Sequence, residues 1–207
     1  MKGEQEVREI LINNTIHLIA EGGFEKATTK AITYSDYTPH EFKLNEVYIY
    51  RLFGDKDHLY AAAFETLDNE FLSALNRCFK TFLDADLTTK GKLYQGFIWV
   101  WNFLFKREDR CRCYIRYYYS VYFHNQSIER HKANFAGIVE SFGRLFKEEA
   151  DTGAIMHSVL TTLLEFIVRV FNGELENSLE NKKYIFNVLF SSMSIFFKDE
   201  LKEKINN

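Results

Sequence analysis

The sequence of 207 residues contains one proline, Pro39, and only three cysteines. Proline removes a helix hydrogen-bond donor and clashes with the preceding turn, so its scarcity permits long uninterrupted helices. An odd number of cysteines does not indicate a disulfide framework and is typical of a reducing cytosol. The Cys-x-Cys pair at Cys111 and Cys113 has no second ligand pair. We therefore expect free thiols, and neither a metal nor any other cofactor.

Targeting segments and catalytic motifs are also missing. The first ten residues are charged and lack the apolar core of a signal peptide. The most apolar stretches, residues 96–105 and 155–171, are too short for a membrane span or carry Glu165 and Arg169. No glycine-rich phosphate loop, nucleophile elbow or His-Glu-x-x-His string occurs. These absences predict a cytoplasmic protein without membrane contact that is not an enzyme.

The sequence also lacks an excess of positive charge. The formal net charge is −3, and residues 1–60 contain seven Lys and Arg against ten Asp and Glu. Proteins that bind duplex DNA usually concentrate positive charge, because neutralised phosphates release counterions. The charge pattern alone therefore disfavours strong DNA binding by this segment.

Apolar residues recur at helical spacing along most of the chain, and no alternating strand pattern of useful length competes with them. Predicted helices cover residues 6–21, 28–32, 46–53, 56–83, 90–106, 110–124, 127–150, 152–172 and 178–204. The predicted fold is all-α, with a three-helix helix-turn-helix unit at the N-terminus and a larger C-terminal bundle, about nine helices in total.

Two sequence strings in the N-terminal unit point to a family. The string GFEKATTKAI, residues 23–32, places a glycine and an aromatic residue before a threonine that can cap a helix. The string YRLFGDKDHL, residues 50–59, contains Tyr-x-x-Phe-x-x-Lys-x-x-Leu. In this order, in a proline-poor helical chain of this length, they resemble the DNA-binding domain of tetracycline-repressor (TetR) type regulators. The resemblance implies a DNA-binding domain at 1–57 and a ligand-binding and dimerisation domain at 58–207.

The resemblance also implies roles for single residues. Hydroxyls, a lysine and helix-terminal N–H groups contact phosphates, whereas the exposed face of the third helix reads bases. The expected phosphate contacts are Thr28, Thr29, Tyr50 and Lys56, and the expected base contacts are Asn45, Tyr48 and Arg51, with Glu46 as a further candidate.

The segment between the second and third helices departs from the family pattern. Residues 34–44 contain no glycine, and the connection is about six residues longer than the usual tight turn. A longer connection leaves the angle of the recognition helix unspecified. Glu46 would repel phosphate unless it accepts a hydrogen bond from a cytosine amino group. The alternative hypothesis is therefore a TetR-fold protein that has lost or altered DNA binding and acts through a partner protein.

The last two predicted helices carry broad apolar faces that resemble the four-helix dimer interface of the family. The alternative is that these faces are buried within one subunit. The predicted interface residues are Leu160, Leu164, Ile167, Phe171, Ile185, Leu189 and Ser192.

Aromatic side chains cluster between residues 99 and 123. Buried tyrosines require partners for their hydroxyls, so the cluster indicates a polar-lined pocket for a small aromatic or amphipathic ligand, or otherwise ordinary core. The predicted pocket residues are Trp99, Phe103, Tyr114, Tyr118 and Tyr122, of which the three tyrosines would share one helix face. The working hypothesis is a homodimeric regulator that binds double-stranded operator DNA, with an inducer that shifts its operator affinity.

Overall fold

The computed structural model describes residues 2–83 and 86–206, and within them the chain forms ten α-helices, a π-helical turn at Phe123–Ser127 and no β-strand. The predicted all-α fold is confirmed. The α-helices are α1 Lys2–Lys26, α2 Thr29–Thr33, α3 Val47–Phe53, α4 Lys56–Leu83, α5 Thr89–Phe105, α6 Glu108–Tyr118, α7 Ile128–Gly143, α8 Thr152–Phe171, α9 Leu179–Ser194 and α10 Asp199–Asn206.

Side-chain caps begin several of these helices. The side-chain oxygens of Thr28, Thr88, Asp151 and Ser178 each accept a hydrogen bond from the backbone N–H three residues later, at 2.9–3.1 Å. Such a cap satisfies one of the N–H groups that have no partner inside the helix. The local sequence therefore explains where α2, α5, α8 and α9 begin.

Several predicted helix boundaries are wrong. Helix α1 extends beyond the predicted 6–21, and α7 ends at Gly143 rather than at residue 150. Helix α6 ends at Tyr118 rather than near residue 124, because Ser120 turns back and donates from its hydroxyl to Tyr117 O at 2.7 Å. The predicted helix 178–204 is interrupted after α9, where Phe146 and Phe197 form an isolated antiparallel bridge. Lys147 N donates to Phe196 O and Lys198 N to Leu145 O. This pairing joins distant segments, so no local pattern predicts it.

The chain divides into two compact units. Unit 1 comprises Met1–Phe71 and Arg107–His131, and unit 2 comprises Leu72–Lys106 and Lys132–Asn207. Unit 1 thus adds the first part of α4, α6 and the π-helical turn to the predicted DNA-binding segment. Its core includes Leu11, Ile19, Ile32, Ile49, Leu59, Tyr60, Phe64 and Tyr117, and the core of unit 2 includes Trp101, Phe146, Ile167, Ile185 and Phe197. The predicted domain boundary after residue 57 stays a prediction.

Candidate DNA-binding unit

The start of α2 is arranged as the sequence predicts. Thr28 lies outside the helix in an extended conformation, and its Oγ1 accepts from Ala31 N at 3.1 Å. Thr29, the first helical residue, donates its hydroxyl to Glu46 Oε2. Of the two predicted phosphate contacts at this position, Thr28 is exposed, and Thr29 is half-buried and already bonded to a carboxylate.

The long connection between α2 and α3 is held by α1. Buried Asn14 donates from Nδ2 to Ile32 O and to Thr38 Oγ1, both at 2.8 Å. The ring of His17 stacks on Tyr37, with centroids 4.2 Å apart. Leu44 is buried at the end of the connection. Residues 34–46 are therefore irregular, as predicted, but tertiary contacts define their course.

Helix α3, the predicted recognition helix, is attached to α1 through its C-terminal end. Arg8 Nη1 donates to Leu52 O at 3.1 Å, and its guanidinium lies 4.4 Å from the centre of the Phe53 ring. Ile49 is fully buried beneath the helix. At its N-terminal end, Asn45 Oδ1 accepts from Val47 N at 3.0 Å. The predicted cap is thus one residue off: Glu46 occupies the cap position without a side-chain hydrogen bond, and Asn45 before it bonds to the first residue of α3.

The outer face of α3 carries the predicted base contacts. The guanidinium of Arg51 lies 4.8 Å from the Tyr48 ring centre, and its Nη2 is 3.3 Å from Glu4 Oε1. Tyr50 is 55% exposed and Val47 is 67% exposed. Tyr48 and Arg51 thus form one stacked pair, and Tyr50 projects into solvent beside them along the chain.

A tight turn orders the start of α4. Gly54 has φ +87°, in the left-handed region that favours glycine, and its N–H donates to Tyr50 O at 2.9 Å. Asp55 Oδ1 accepts from His58 N at 2.8 Å, and this hydrogen bond lowers the pKa of the Asp55 carboxyl. Lys56 follows, with Nζ 5.4 Å from the Tyr60 ring centre. The hydroxyl of Tyr60 donates to Ala27 O at 2.6 Å and so joins α4 to the start of α2.

The predicted pocket residues do not form one stripe. Trp99 and Phe103 stack on each other within unit 2, whereas the three tyrosines belong to unit 1. Tyr114 and Tyr118 stack with centroids 6.1 Å apart. The prediction that Tyr122 continues this face is wrong, because α6 ends at Tyr118. Its ring instead lies 4.7 Å from Phe24 and 5.2 Å from Tyr60.

The buried tyrosine hydroxyls of α6 have partners inside unit 1. Tyr114 donates to Asp68 Oδ1 at 3.3 Å, and the same oxygen lies 2.8 Å from His131 Nδ1. Tyr117 pairs with Ser127 Oγ at 3.0 Å. Burial, together with the Asp68 carboxylate, raises the pKa of Tyr114 well above its usual value. This arrangement matches the alternative in which the tyrosines are core residues, and it leaves the pocket a prediction.

Four of the predicted dimer-interface residues lie in the core of unit 2. Leu164, Ile167, Ile185 and Leu189 are 0–4% exposed in the single chain, because the facing sides of α8 and α9 bury them. They contribute to the fold of one subunit and are not free to contact a second. The remaining three differ: Leu160 and Phe171 are half-buried, and Ser192 is exposed.

The three cysteine side chains lie in the protein interior. Cys78, Cys111 and Cys113 are free and buried, and burial raises the pKa of both Cys111 and Cys113 to about 12. Among residues 2–83 and 86–206, no group of three or more His, Cys, Asp and Glu could hold a metal ion.

Sequence reasoning missed the residues that position the site. Asn14 and Arg8 fix the connection and α3, and Glu4 pairs with Arg51. Asn14 could have been found, because it is a polar residue within the otherwise apolar face of the first helix. Arg8 and Glu4 carry no such signal, since charged residues are ordinary near the start of an exposed helix face.

No protein-family model and no curated protein sequence matches this chain. Solved structures do match it over nearly their whole length. A TetR family transcription regulator from Marinobacter aquaeolei VT8 superposes with a TM-score of 0.72 at 14% identity, over 93% of this chain and 98% of that one. A protein from Shewanella sp. PV-4 assigned to the same family gives 0.71 at 12% identity, over 89% and 96%.

A third structure, from Vibrio parahaemolyticus and also assigned to the TetR family, gives a TM-score of 0.66 at 17% identity, over 92% and 98% of the two chains. Identities this low speak to the fold alone. The fold predicted from the two sequence strings is confirmed: this chain has the all-helical fold of TetR family transcription regulators.

Proposed function

We propose that the protein is a one-component transcription regulator that binds double-stranded operator DNA as a homodimer. The observation that carries this proposal is the attachment of α3 to α1 through Arg8, with Tyr48, Tyr50 and Arg51 on its outer side. A helix-turn-helix requires a recognition helix at a defined angle. The contacts of Arg8 support a fixed orientation of α3 although the connection before it is long.

Phosphate contacts would come from Thr28, Tyr50 and Lys56. Thr28 and Tyr50 are exposed, and Lys56 lies in the first turn of α4. Such groups set the register of a protein on DNA without reading its sequence. Sequence would be read by Tyr48 and Arg51, since a guanidinium pairs with the two acceptors of guanine in the major groove.

Dimerisation is supported by the poor coverage of α8. This helix is long and apolar enough to cross a membrane by length and composition alone, yet only 22% of its most apolar window is buried in the single chain. Apolar side chains that are only half-buried in one chain, such as Leu160 and Phe171, can be covered further by a partner. A second subunit would supply this cover, with Leu160 and Phe171 at the contact, in a cytoplasmic protein that makes no membrane contact.

A small aromatic or amphipathic ligand completes the proposed function as the signal. Its pocket is proposed in unit 2, around the aromatic side chains near Trp99 and Phe103. The dimer could adopt more than one spacing of its two DNA-binding units. A ligand that binds one spacing more tightly than another would shift the affinity for the operator.

A salt titration on the protein's own promoter region tests DNA binding. The affinity should fall steeply with salt, because each neutralised phosphate releases counterions. Lys56→Ala should weaken binding to every sequence alike and flatten the salt slope by about one unit per contact, whereas Arg51→Ala should change which sequence is preferred. Lys183→Ala on α9 in unit 2 removes the same charge and should leave both properties unchanged.

The second candidate function is regulation through a partner protein. The net charge of −3 over residues 1–60 and the exposed Tyr34 and Tyr37 in the long connection favour it. If a folded dimer binds no duplex even at low salt, DNA binding is excluded and the partner-protein function takes its place.

A further inference from the structure

Two glutamate carboxylates bond to side chains that are expected to contact DNA. Glu46 Oε2 accepts the hydroxyl hydrogen of Thr29, and Glu4 Oε1 lies 3.3 Å from Arg51 Nη2. Thr29 is a phosphate contact expected from the sequence, and Arg51 is a proposed base contact. Both carboxylates belong to unit 1 and come from different elements, α1 and the residue that precedes α3.

Glu46 places a negative charge where a phosphate would approach. Its carboxylate is joined to the first residue of α2, the position from which Thr29 would donate to a phosphate oxygen. A hydroxyl has one hydrogen to donate, so Thr29 cannot serve Glu46 and a phosphate together. The unit charge also repels an approaching phosphate, an interaction of about 1 kcal/mol at 4 Å in water and more near a protein surface.

Glu4 acts on Arg51 in a weaker way. Both side chains of this pair are more than half exposed, so solvent screens the attraction. Arg51 also stacks on Tyr48, which leaves its guanidinium in one orientation. Glu4 thus offsets only part of the charge that Arg51 presents to a phosphate.

We propose that Glu46 and Glu4 mask the DNA-contacting groups and thereby suppress binding to non-specific duplex. Non-specific duplex offers the protein only phosphates. Its binding displaces both carboxylates and gives them no new partner. An operator supplies base contacts that compensate, since base edges carry donors as well as acceptors. The masks would thus set the ratio between operator and non-specific affinity. This inference rests on the proposed DNA binding.

The test measures the affinity of the homogeneous full-length protein for a random-sequence duplex at several salt concentrations. Glu46→Ala should bind this duplex roughly fivefold or more tightly, the gain expected for removing one opposed charge at contact distance. Glu4→Ala should gain about twofold, because its pair is solvent-exposed. Glu41→Ala, an exposed glutamate in the same connection, makes the same change in net charge and should gain less than Glu46→Ala.

A double-mutant cycle separates masking from a structural effect. In a Thr29→Val background the gain from Glu46→Ala should shrink, because the masked hydroxyl is absent. Circular dichroism and melting curves first establish that each variant is folded. If Glu46→Ala is not folded, Glu46→Gln takes its place, because it keeps a hydrogen-bond acceptor without the charge.

The possible outcomes distinguish this inference from the proposed function. If the wild type binds DNA and Glu46→Ala gains no more than Glu41→Ala, masking is overturned and DNA binding stands. If neither the wild type nor the Glu4→Ala/Glu46→Ala double variant binds any duplex at low salt, the proposed function fails and the masking role fails with it. If the wild type binds its promoter region but not the random-sequence duplex, and the double variant binds both, the masking role and the proposed function are both supported.

Discussion

Single polar side chains decide the geometry of the candidate DNA-binding unit. Asn14 is buried and uses both hydrogens of its amide, one for the end of α2 and one for the long connection. Tyr60 likewise donates from α4 to a backbone carbonyl just before α2. Buried polar groups with complete hydrogen bonding specify one arrangement, because any other leaves them unsatisfied.

Asn14→Ala should lower the free energy of unfolding by about 1–3 kcal/mol, since two hydrogen bonds are lost and the Ile32 carbonyl and the Thr38 hydroxyl oxygen lose a donor. It should also speed hydrogen exchange in residues 34–46 and weaken DNA binding. Thr38→Val removes only one of the two bonds and should have a smaller effect on all three. Urea denaturation and hydrogen exchange measure these changes. Unaltered exchange in the connection would show that Asn14 does not hold it.

The buried thiols predict a loss of stability at high pH. Burial raises the pKa of Cys111 and Cys113 from 9.0 to about 12. Between these values the unfolded chain releases the protons and the folded chain keeps them, so the free energy of unfolding falls as the pH rises, by about 1.4 kcal/mol per unit for each thiol. Below pH 9 the thiols have no such effect.

Urea denaturation at intervals from pH 8 to pH 10.5 measures this slope. Cys111→Ala should make this slope shallower by the contribution of one thiol, about 1.4 kcal/mol per pH unit, and Cys111→Ala/Cys113→Ala by the contribution of two. The native thiols should also react with a maleimide only after unfolding, because a neutral buried thiol is a poor nucleophile. Equal slopes in the wild type and the double variant would contradict the prediction.

At the scale of elements, helix starts follow local chemistry and helix ends do not. Thr28 and Thr88 cap α2 and α5 through the same 3.1 Å hydrogen bond. The end of α6 and the break between α9 and α10 depend instead on a turn at Ser120 and on the bridge between Phe146 and Phe197. Because α6 ends early, Tyr122 packs on Phe24 rather than on the stripe that helical spacing predicts.

Thr28→Ala and Thr88→Ala form a matched pair of cap variants. Each should lower the free energy of unfolding by about 1 kcal/mol, the usual value of a threonine cap. Only Thr28→Ala should also weaken DNA binding, since Thr28 is proposed to contact a phosphate. Thermal unfolding and a DNA titration on both variants provide the check. Equal affinity for DNA in the two variants would remove Thr28 from the proposed site.

At the scale of the whole molecule, α8 is the helix proposed to contact a second subunit. Its inner residues are buried against α9 in one subunit, and its remaining apolar face is poorly covered. The apolar residues of this helix therefore have two roles that hydrophobicity alone does not distinguish: the formation of the unit 2 core and the proposed contact with a second subunit.

Leu160→Arg, at a half-buried position, should convert a dimer into a folded monomer, because it places an unpaired charge in the proposed interface. Leu164→Arg, at a position 3% exposed, should instead unfold the chain. Ser141→Arg on α7 adds the same charge at an exposed site and should leave the dimer intact. Sedimentation measures the mass and circular dichroism the fold. A Leu160→Arg protein that sediments as the wild type does would rule out this interface.

The sequence by itself determined the all-α class, the succession of helices and the place of the helix-turn-helix. Proline scarcity, helical periodicity and capping residues act over a few positions and can be read locally. It also indicated where α2, α3 and α4 begin, because Thr28, Asn45 and Asp55 bond to backbone N–H groups no more than three residues away.

Only the tertiary structure decided which residues make the site and the core. Asn14 reaches Thr38 across 24 positions, and Arg8 reaches Leu52 across 44. The burial of Leu164 and Ile185 depends on how α8 and α9 face each other, and periodicity shows that a face is apolar without showing what covers it. Contacts between residues far apart in sequence depend on how the chain packs, so local patterns leave them undetermined.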